Sequence, residues 1–300
     1  MLTVCIPIYN YDCRELINNL HEQGLQLTVP FEILAINDGS AEEYKELYKN
    51  FYFESFRYIE LRQNIGRARI RNLLAKEAKF NNLLFLDCDV KIISDDYLKK
   101  YIEQISEKSE VICGGTIYST DFPGRDKSLH WQYALIKQKE LSKAKEENPY
   151  RSFMTNNFLI RKQVFENIFF NEKLTQYGHE DTLFGIALEQ QGKRIAHINN
   201  PVLHIDLDNN ETFLRKTQQS ILNLIQILNS TEDTDGFIRH VTLLQFYFKV
   251  KRKGLLPFLK TIDKAFEKRF YSFLLNGKGN IRLLNFYKLL FLIHHFSSKK

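Results

Sequence analysis

The run Leu83-Leu84-Phe85-Leu86, followed at once by Asp87-Cys88-Asp89, constrains the fold of this chain more than any other segment. Four large apolar residues in a row leave no polar face. The segment therefore reads as a strand buried on both sides, as in a parallel sheet covered by helices. Strands of that kind end at the crevice where open α/β sheets hold their ligands. Two carboxylates one residue apart at such an end supply hard oxygen ligands, which suit Mn2+ or Mg2+ and, through the cation, phosphate oxygens. The flanking pattern agrees. Strands are predicted over 2–9, 31–37 and 57–61, and helices over 14–24, 42–53 and 67–79, with Ser40 as the cap of the second helix. This βαβαβαβ order implies right-handed crossovers and a mostly parallel sheet flanked by helices, a Rossmann-like α/β fold.

Farther along, strands are predicted over 111–118, 153–160 and 194–204, the last interrupted by Pro201 and so at an edge or bulged. Helices are predicted over 129–145 and from the Tyr177–Asp181 segment to Gln191. After Asp206 the chain reads as all helical, over 211–228, 237–253, 255–275 and 281–295. Three hundred residues, 44% of them apolar, are enough for one large α/β domain and an appendage. The reading is a body over 1–206, divided near 118, and a helical extension over 207–300. No run approaches the ~20 apolar residues of a membrane span. The N-terminus enters a strand at once and lacks the basic start of a signal peptide, which places the body in the cytoplasm. Cys5, Cys13, Cys88 and Cys113 lack paired metal spacing and read as small buried hydrophobes, with Cys88 turned away from the ligand side.

The formal charge of +6 is unevenly spread. From Gly236 onward 14 Lys and Arg face two acids, Asp263 and Glu267, so that segment carries +12 and the rest −6. An acidic body argues against a nucleic-acid partner. The mixture of aromatics, Leu and cations in 236–300 has the composition of an interfacial helix on anionic lipid, which would make the protein peripheral on the inner face of the plasma membrane. Packing on the main domain, or a homo-oligomer contact, is the competing reading.

Several segments carry chemistry. In an extended chain Asp87 and Asp89 share one side, where one could meet a cation and the other a ribose; an acidic turn is the bland alternative. Asp38, in Asn37-Asp38-Gly39-Ser40, ends the second predicted strand, and could accept hydrogen bonds or merely build the turn. Asn64-Ile65-Gly66 leads into a helix with Arg67, Arg69 and Arg71, which favours an anion unless it is only a solvated basic face. Asp181, in His179-Glu180-Asp181, could act as a general base, although acids also favour helix N-termini electrostatically. His204, at a strand end, could ligate Mn2+ or be an ordinary buried histidine.

Taken in order, Val4-Cys5-Ile6-Pro7-Ile8-Tyr9-Asn10, Asn37-Asp38-Gly39-Ser40, Asn64-Ile65-Gly66 with Arg69 and Asn72, Asp87-Cys88-Asp89, Asn156-Asn157 with Arg161 and Lys162, Gly178-His179-Glu180-Asp181 and His204 resemble the family 2 glycosyltransferases of the GT-A fold. The resemblance covers about residues 1–206. It implies an inverting, metal-dependent transfer from a nucleotide-sugar donor, UDP-linked by family habit, to a glycan or lipid-linked acceptor, as in bacterial surface-polysaccharide synthesis. By the same resemblance, Pro7, Tyr9 and Asn10 line the base pocket. Asp38, Asn64, Arg69 and Asp87 contact the nucleotide. Asp89 and His204 hold Mn2+ or Mg2+, and Asp181 is the catalytic base. Trp131, Asn156, Asn157 and Glu180 lie on the acceptor side. One departure concerns the acceptor: Tyr177-Gly178-His179 stands where many members have Trp-Gly before Glu-Asp. A nucleotidyltransferase would show a Gly-rich basic loop after the first strand, where this chain has Tyr9-Asn10-Tyr11-Asp12. A sugar-nucleotide-binding module without turnover would not need three acids at separate ligand-facing positions.

Overall fold

The structure, a computed structural model, describes residues 1–106, 109–174 and 177–297. The chain opens with β1 (Leu2–Ile8), α1 (Arg14–Gly24), β2 (Phe31–Asn37), α2 (Glu42–Glu46), β3 (Phe56–Glu60), α3 (Arg67–Glu77) and β4 (Asn82–Leu86). It continues with β5 (Val90–Ile92), α4 (Tyr97–Gln104), β6 (Val111–Cys113), β7 (Thr116–Tyr118), α5 (Ser128–Glu147), β8 (Asn157–Arg161), α6 (Lys162–Glu166), α7 (Glu180–Gln190), β9 (Ile195–His197) and β10 (Val202–His204). The remainder is helical: α8 (Asn210–Ser230), α9 (Thr234–His240), α10 (Thr242–Arg252), α11 (Leu256–Leu275) and α12 (Ile281–Ser297).

Seven strands form the main sheet in the order β3-β2-β1-β4-β8-β6-β9, and a second sheet runs β5-β10-β7. In the main sheet β1 lies parallel to β2 and β4, β2 to β3, and β6 to β9; β8 runs antiparallel to both β4 and β6. The strand period of two explains the unbroken apolar runs. Leu84 and Leu86 join Val4, Ile6 and Ile8 on one face, which α1 covers with Leu16, Ile17 and Leu20. Leu83 and Phe85 join Cys5, Leu34 and Ile36 on the other, which α3 covers with Ala68, Ile70 and Leu74. Each fully buried Val, Leu, Ile or Phe among them contributes about 1.5–3 kcal/mol of transfer free energy.

The strand predicted from Leu83 ends at Leu86 as expected, and two other expected strands are split between the two sheets. The 83–90 segment leaves the main sheet at Leu86, turns through Asp87-Cys88-Asp89 and re-pairs as β5. The 111–118 segment breaks at Gly114-Gly115. Gly115 has φ +89, a conformation favoured by glycine, and a side chain on Gly114 would collide with the Tyr101 hydroxyl and Asn157. The 194–204 segment becomes β9 at the edge of the main sheet and β10 in the middle of the small one, with Pro201 in the link rather than inside a strand. Without an N–H, Pro201 cannot continue a ladder, which places the break there. The 42–53 helix stops at Glu46. Beyond it Tyr48, Phe51 and Phe53 stack edge-on into the core instead. Ser40 does not cap α2: Ala41 holds the cap position and the Ser40 hydroxyl is used elsewhere. The 237–253 helix breaks at Val241, whose backbone is extended (φ −116, ψ 104).

The chain forms two compact units. The first comprises Met1–Ser119, Leu141–Thr175 and Leu183–Asp206, and so holds both sheets. The second comprises Thr120–Glu140, Gln176–Thr182 and Leu207–Lys300. Its interior is built from α8 and α12, with Ile221, Leu224, Leu228, Leu284, Leu290 and Ile293 buried. Gln218 donates to the buried Tyr287 hydroxyl at 2.6 Å. Among the described residues no helix is long and apolar enough to cross a membrane.

Candidate active site

In the first unit β1 lies between β2 and β4, and hydrogen bonds from backbone N–H groups to side chains lock the loops after β1 and β2 together. Asn10 adopts the left-handed conformation (φ +48) just beyond β1. Its N–H donates to the Ser40 hydroxyl and its side-chain oxygen accepts from the Ala41 N–H, both at 2.8 Å. Tyr9 is half exposed, and Pro7 is partly buried at the end of β1. Asp38 is buried. Its two oxygens accept from the Ile65 N–H at 2.7 Å and the Gly66 N–H at 3.1 Å. Burial pushes its carboxyl above the usual range and those two N–H groups pull it back. Asp38 thus fixes the path of Asn64-Ile65-Gly66 into α3, with Asn64 itself exposed.

The acidic turn is tied on three sides. Asp87 accepts from the Arg71 guanidinium at 2.6 Å, and its N–H donates to the Asn156 carbonyl at 3.2 Å. Arg71 is almost fully buried and also donates to the Arg67 carbonyl at 3.3 Å. The Asp89 carbonyl accepts from the Ile205 N–H at 3.1 Å. β10 pairs His204 with Val90, so the imidazole Nδ1 comes to 3.6 Å from Asp89 Oδ1. That Oδ1 is buried and takes no hydrogen bond among the described residues. Burial raises the Asp89 carboxyl above its ordinary range; His204 and Arg67 draw it down and Asp87 pushes it up. An orphaned carboxylate oxygen beside an imidazole is an N,O donor set for a divalent cation, so these residues fit the metal that the sequence implied. Cys88, between the two acids, is partly buried and packs against the core.

Two further groups near this turn escaped sequence reasoning. Tyr11 has its hydroxyl pushed up to about 12 by burial, with Asp89 and Asp206 adding to the rise. It lines a cavity of about 190 Å3 together with Asp12, Cys13, Cys88, Val90 and Ile205. The only signal for Asp206 was its position two residues after His204. Among the three arginines of α3, helical spacing was the available signal: Arg67 and Arg71, four apart, share a face. Arg71 reaches Asp87 and Arg67 acts on Asp89, whereas Arg69 lies on another face of α3, 3.8 Å from Glu172. Arg69 lines a groove of about 730 Å3 with Lys76, Lys162 and Phe170. Asn72 is a tether rather than a ligand group, bonded to both backbone polar groups of Phe170 and to Glu172.

The acceptor-side expectation for Asn157 requires correction. Its side-chain oxygen accepts from the Tyr97 and Tyr101 hydroxyls, both at 2.6 Å, and its amide donates to the Gly115 and Asn200 carbonyls at 2.7 and 3.0 Å. Two donors and two lone pairs are all that an Asn side chain offers, so nothing remains for a ligand. Asn157 instead fastens the break between β6 and β7. The Asn156 side chain is buried as well, and its carbonyl positions Asp87.

In the second unit Gly178 (φ +94) and His179 (φ +71) form a left-handed pair just before α7. α8 holds this loop: Asn223 donates to the Gly178 carbonyl at 2.5 Å, Ser220 contacts His179 Nε2 at 3.2 Å, and Lys216 lies over the Tyr177 ring. Burial pushes the His179 imidazole down to about 4. Asp181 follows in the first turn of α7, where its Oδ1 accepts from the Thr182 N–H at 2.7 Å. Glu180 is buried, and Trp131 packs edge-on against Phe122.

A mostly parallel α/β sheet, an acidic turn at the end of β4 and a small sheet that returns a histidine to that turn define a GT-A-like fold. The sequence model described as glycosyl transferase family 2 matches residues 3–169, and the chain belongs to that family. An uncharacterized glycosyltransferase, YfnE, of Bacillus subtilis is 25% identical over 237 residues, covering 63% of this chain and 60% of that protein. The chondroitin synthase of Escherichia coli is 25% identical over 226 residues, covering 64% of this chain and 32% of the synthase. The matches therefore span less than two thirds of either relative's own length. Among solved structures, S. aureus TarS 1-349 in complex with UDP-GlcNAc aligns with TM-score 0.50 and 18% identity, over 95% of this chain and 89% of the other. The mannosyltransferase PcManGT of Pyrobaculum calidifontis, in complex with GDP-Man and Mn2+, aligns with TM-score 0.58 and 11% identity, over 100% and 88%.

Proposed function

We propose that this chain is an inverting, metal-dependent glycosyltransferase. It moves a hexosyl or hexosaminyl group from a UDP-sugar to a hydroxyl of a glycan or lipid-linked acceptor in bacterial surface-polysaccharide synthesis. The observation that carries the reading is the buried Asp89 Oδ1, without a hydrogen-bond partner among the described residues and 3.6 Å from His204, at the end of a parallel strand. The TarS complex with UDP-GlcNAc and the mannosyltransferase complex with Mn2+ support the donor class and the metal; the chondroitin synthase supports a polysaccharide product.

In this reading Asp89 and His204 hold Mn2+ or Mg2+, which when bound neutralises the charge gathering on the departing diphosphate. Pro7, Tyr9 and Asn10 flank the base, and Asp38 keeps Asn64-Ile65-Gly66 in place beside the nucleotide. Arg71 holds Asp87 toward the ribose. Arg67, rather than Arg69, supplies positive charge near the acids. Asp181 removes the proton of the acceptor hydroxyl, whose oxygen attacks the anomeric carbon from the face opposite the leaving group; no protein nucleophile is used. Trp131 and Glu180 shape the acceptor side. Exposed Phe246 on α10, Leu255 between the helices, and Phe258, Phe266 and Phe273 on α11, interspersed with cations, support peripheral contact with anionic lipid. Vesicle co-sedimentation with phosphatidylglycerol should fall when Phe246, Phe258 and Phe273 become Ser; undiminished binding would reject that contact.

The deciding experiment screens UDP-sugars and GDP-sugars for metal-dependent release of the nucleoside diphosphate, then repeats the best with Asp181→Asn. Turnover should drop by about 10²–10⁴-fold while donor affinity is kept. Near-normal transfer by that variant refutes the base assignment. Release of pyrophosphate instead of nucleoside diphosphate would reassign the enzyme to nucleotidyl transfer. Asp89→Asn should lose the stimulation of nucleotide binding by Mn2+.

A further inference from the structure

α11 carries Asp263 and Glu267 one helical turn apart, so both carboxylates lie on one face of that helix. α12 brings His294 to the same face. One ligand atom from each of the three lies within 4.8 Å of the others, and no second cluster of this kind occurs among the described residues. Asp263 is only 3% exposed. Its Oδ2 sits 2.9 Å from His294 Nδ1. Its Oδ1 is buried and takes no hydrogen bond among the described residues. A buried carboxylate is stable when paired, hydrogen-bonded on its remaining lone pairs, or bound to a metal. Here a single contact with a half-exposed histidine leaves one oxygen unserved.

We propose that Asp263, Glu267 and His294 form a binding site for a divalent transition-metal ion of the zinc class, which clips α11 to α12. The donor set selects that class: one imidazole and two carboxylates favour zinc and its neighbours over magnesium or calcium, which prefer oxygen alone. The size also fits. Zinc takes such ligands at about 2.0–2.2 Å, which sets neighbouring ligand atoms about 3.4 Å apart in a tetrahedron. The three groups lie within 4.8 Å of one another before any ion draws them in. The exposed flank of His294 gives the ion a way in, and water fills the fourth position. This site lies in the helical second unit, in a segment that the family match over residues 3–169 does not reach. It is separate in sequence from the Asp89–His204 pair, and its role is to hold two helices rather than a diphosphate.

The test uses the full chain, stripped with a chelator and desalted, with zinc chloride as the probe. Zinc at about a hundredfold excess over its dissociation constant should raise the melting temperature by about 5 °C, and titration calorimetry should show binding. Glu267→Gln, which keeps the Asp263–His294 contact, and His294→Ala should each weaken zinc binding at least tenfold. Asp89→Asn should leave the zinc-dependent rise intact. The proposal is overturned by a wild-type melt that ignores zinc, by a rise undiminished in Glu267→Gln, or by a rise lost in Asp89→Asn. If His294→Ala fails to fold, Glu267→Gln alone decides.

Discussion

The ion pair between Arg71 and Asp87 offers the sharpest perturbation, because it ties a core helix to the acidic turn. Arg71 Nη2 lies 2.6 Å from Asp87 Oδ1, and the two side chains are 3% and 23% exposed. Removing one partner of a fully buried pair costs about 3–5 kcal/mol, because the survivor is left charged in a poor solvent. Asp87 keeps some contact with water, so Arg71→Met should cost about 2–3 kcal/mol. Asp87→Asn strands a buried guanidinium and should cost at least as much. The double variant should then be less damaged than the sum, with a coupling energy of about 2 kcal/mol. Urea unfolding of the four proteins measures this, and melting should shift by about 5 °C for each single variant. Donor affinity supplies a second readout. Arg71→Met should raise the KM for the nucleotide-sugar although Arg71 contacts no ligand in this account, because the turn that carries Asp89 loses its anchor. A coupling below about 0.5 kcal/mol would refute the reasoning, since that is what exposed pairs give. So would an Asp87→Asn protein as stable as wild type but unable to bind donor.

Other outcomes follow from the same geometry. Burial holds the His179 imidazole near 4, with Lys288 lowering it further and Glu180 opposing, against an ordinary value of 6.5. The unfolded chain therefore takes the proton first, so stability is full above about 6.5 and drains as pH falls toward 4, by about 2 kcal/mol at pH 5. His179→Asn, which tolerates the left-handed backbone, should flatten the fall in melting temperature between pH 7 and pH 5; an unchanged profile would reject the assignment. Asp38→Ala leaves the Ile65 and Gly66 N–H groups without their acceptor. It should cost about 2–3 kcal/mol and raise the donor KM severalfold, whereas an unchanged KM would mean that the Asn64–Gly66 loop needs no such anchor.

Much of the first unit is legible in its apolar runs. β1, α1 and β2 fall where the residues place them, because each is a clear run bounded by Pro, Gly or a polar turn. The splitting of two strands was not legible. Extended backbone looks the same in sequence whether it stays in one sheet or steps into another, and only Gly114-Gly115 and Pro201 mark where the steps occur. Which arginines of α3 meet the acids was not legible either. Three arginines at alternate positions on a helix point in different directions, and the face with Arg67 and Arg71 is the one that meets the acids. Asn157 misled because a buried amide with all its bonds made looks, in sequence, like one waiting for a ligand. Tyr11 and Asp206 were silent because nothing in their neighbours in sequence announces that folding brings them near Asp89.

The small sheet has a consequence in time. Its strands come from positions near 90, 116 and 202, each only three residues long. The ladder that sets His204 against Asp89 therefore joins segments more than a hundred residues apart. Pairings so distant are costly to close and form late. During synthesis the loops after β1, β2 and β4 have all emerged while His204 is still unmade. A nascent or truncated chain that ends before β10 therefore carries the loops after β1, β2 and β4, with Asp89 in its turn, but lacks the histidine that the small sheet sets against it.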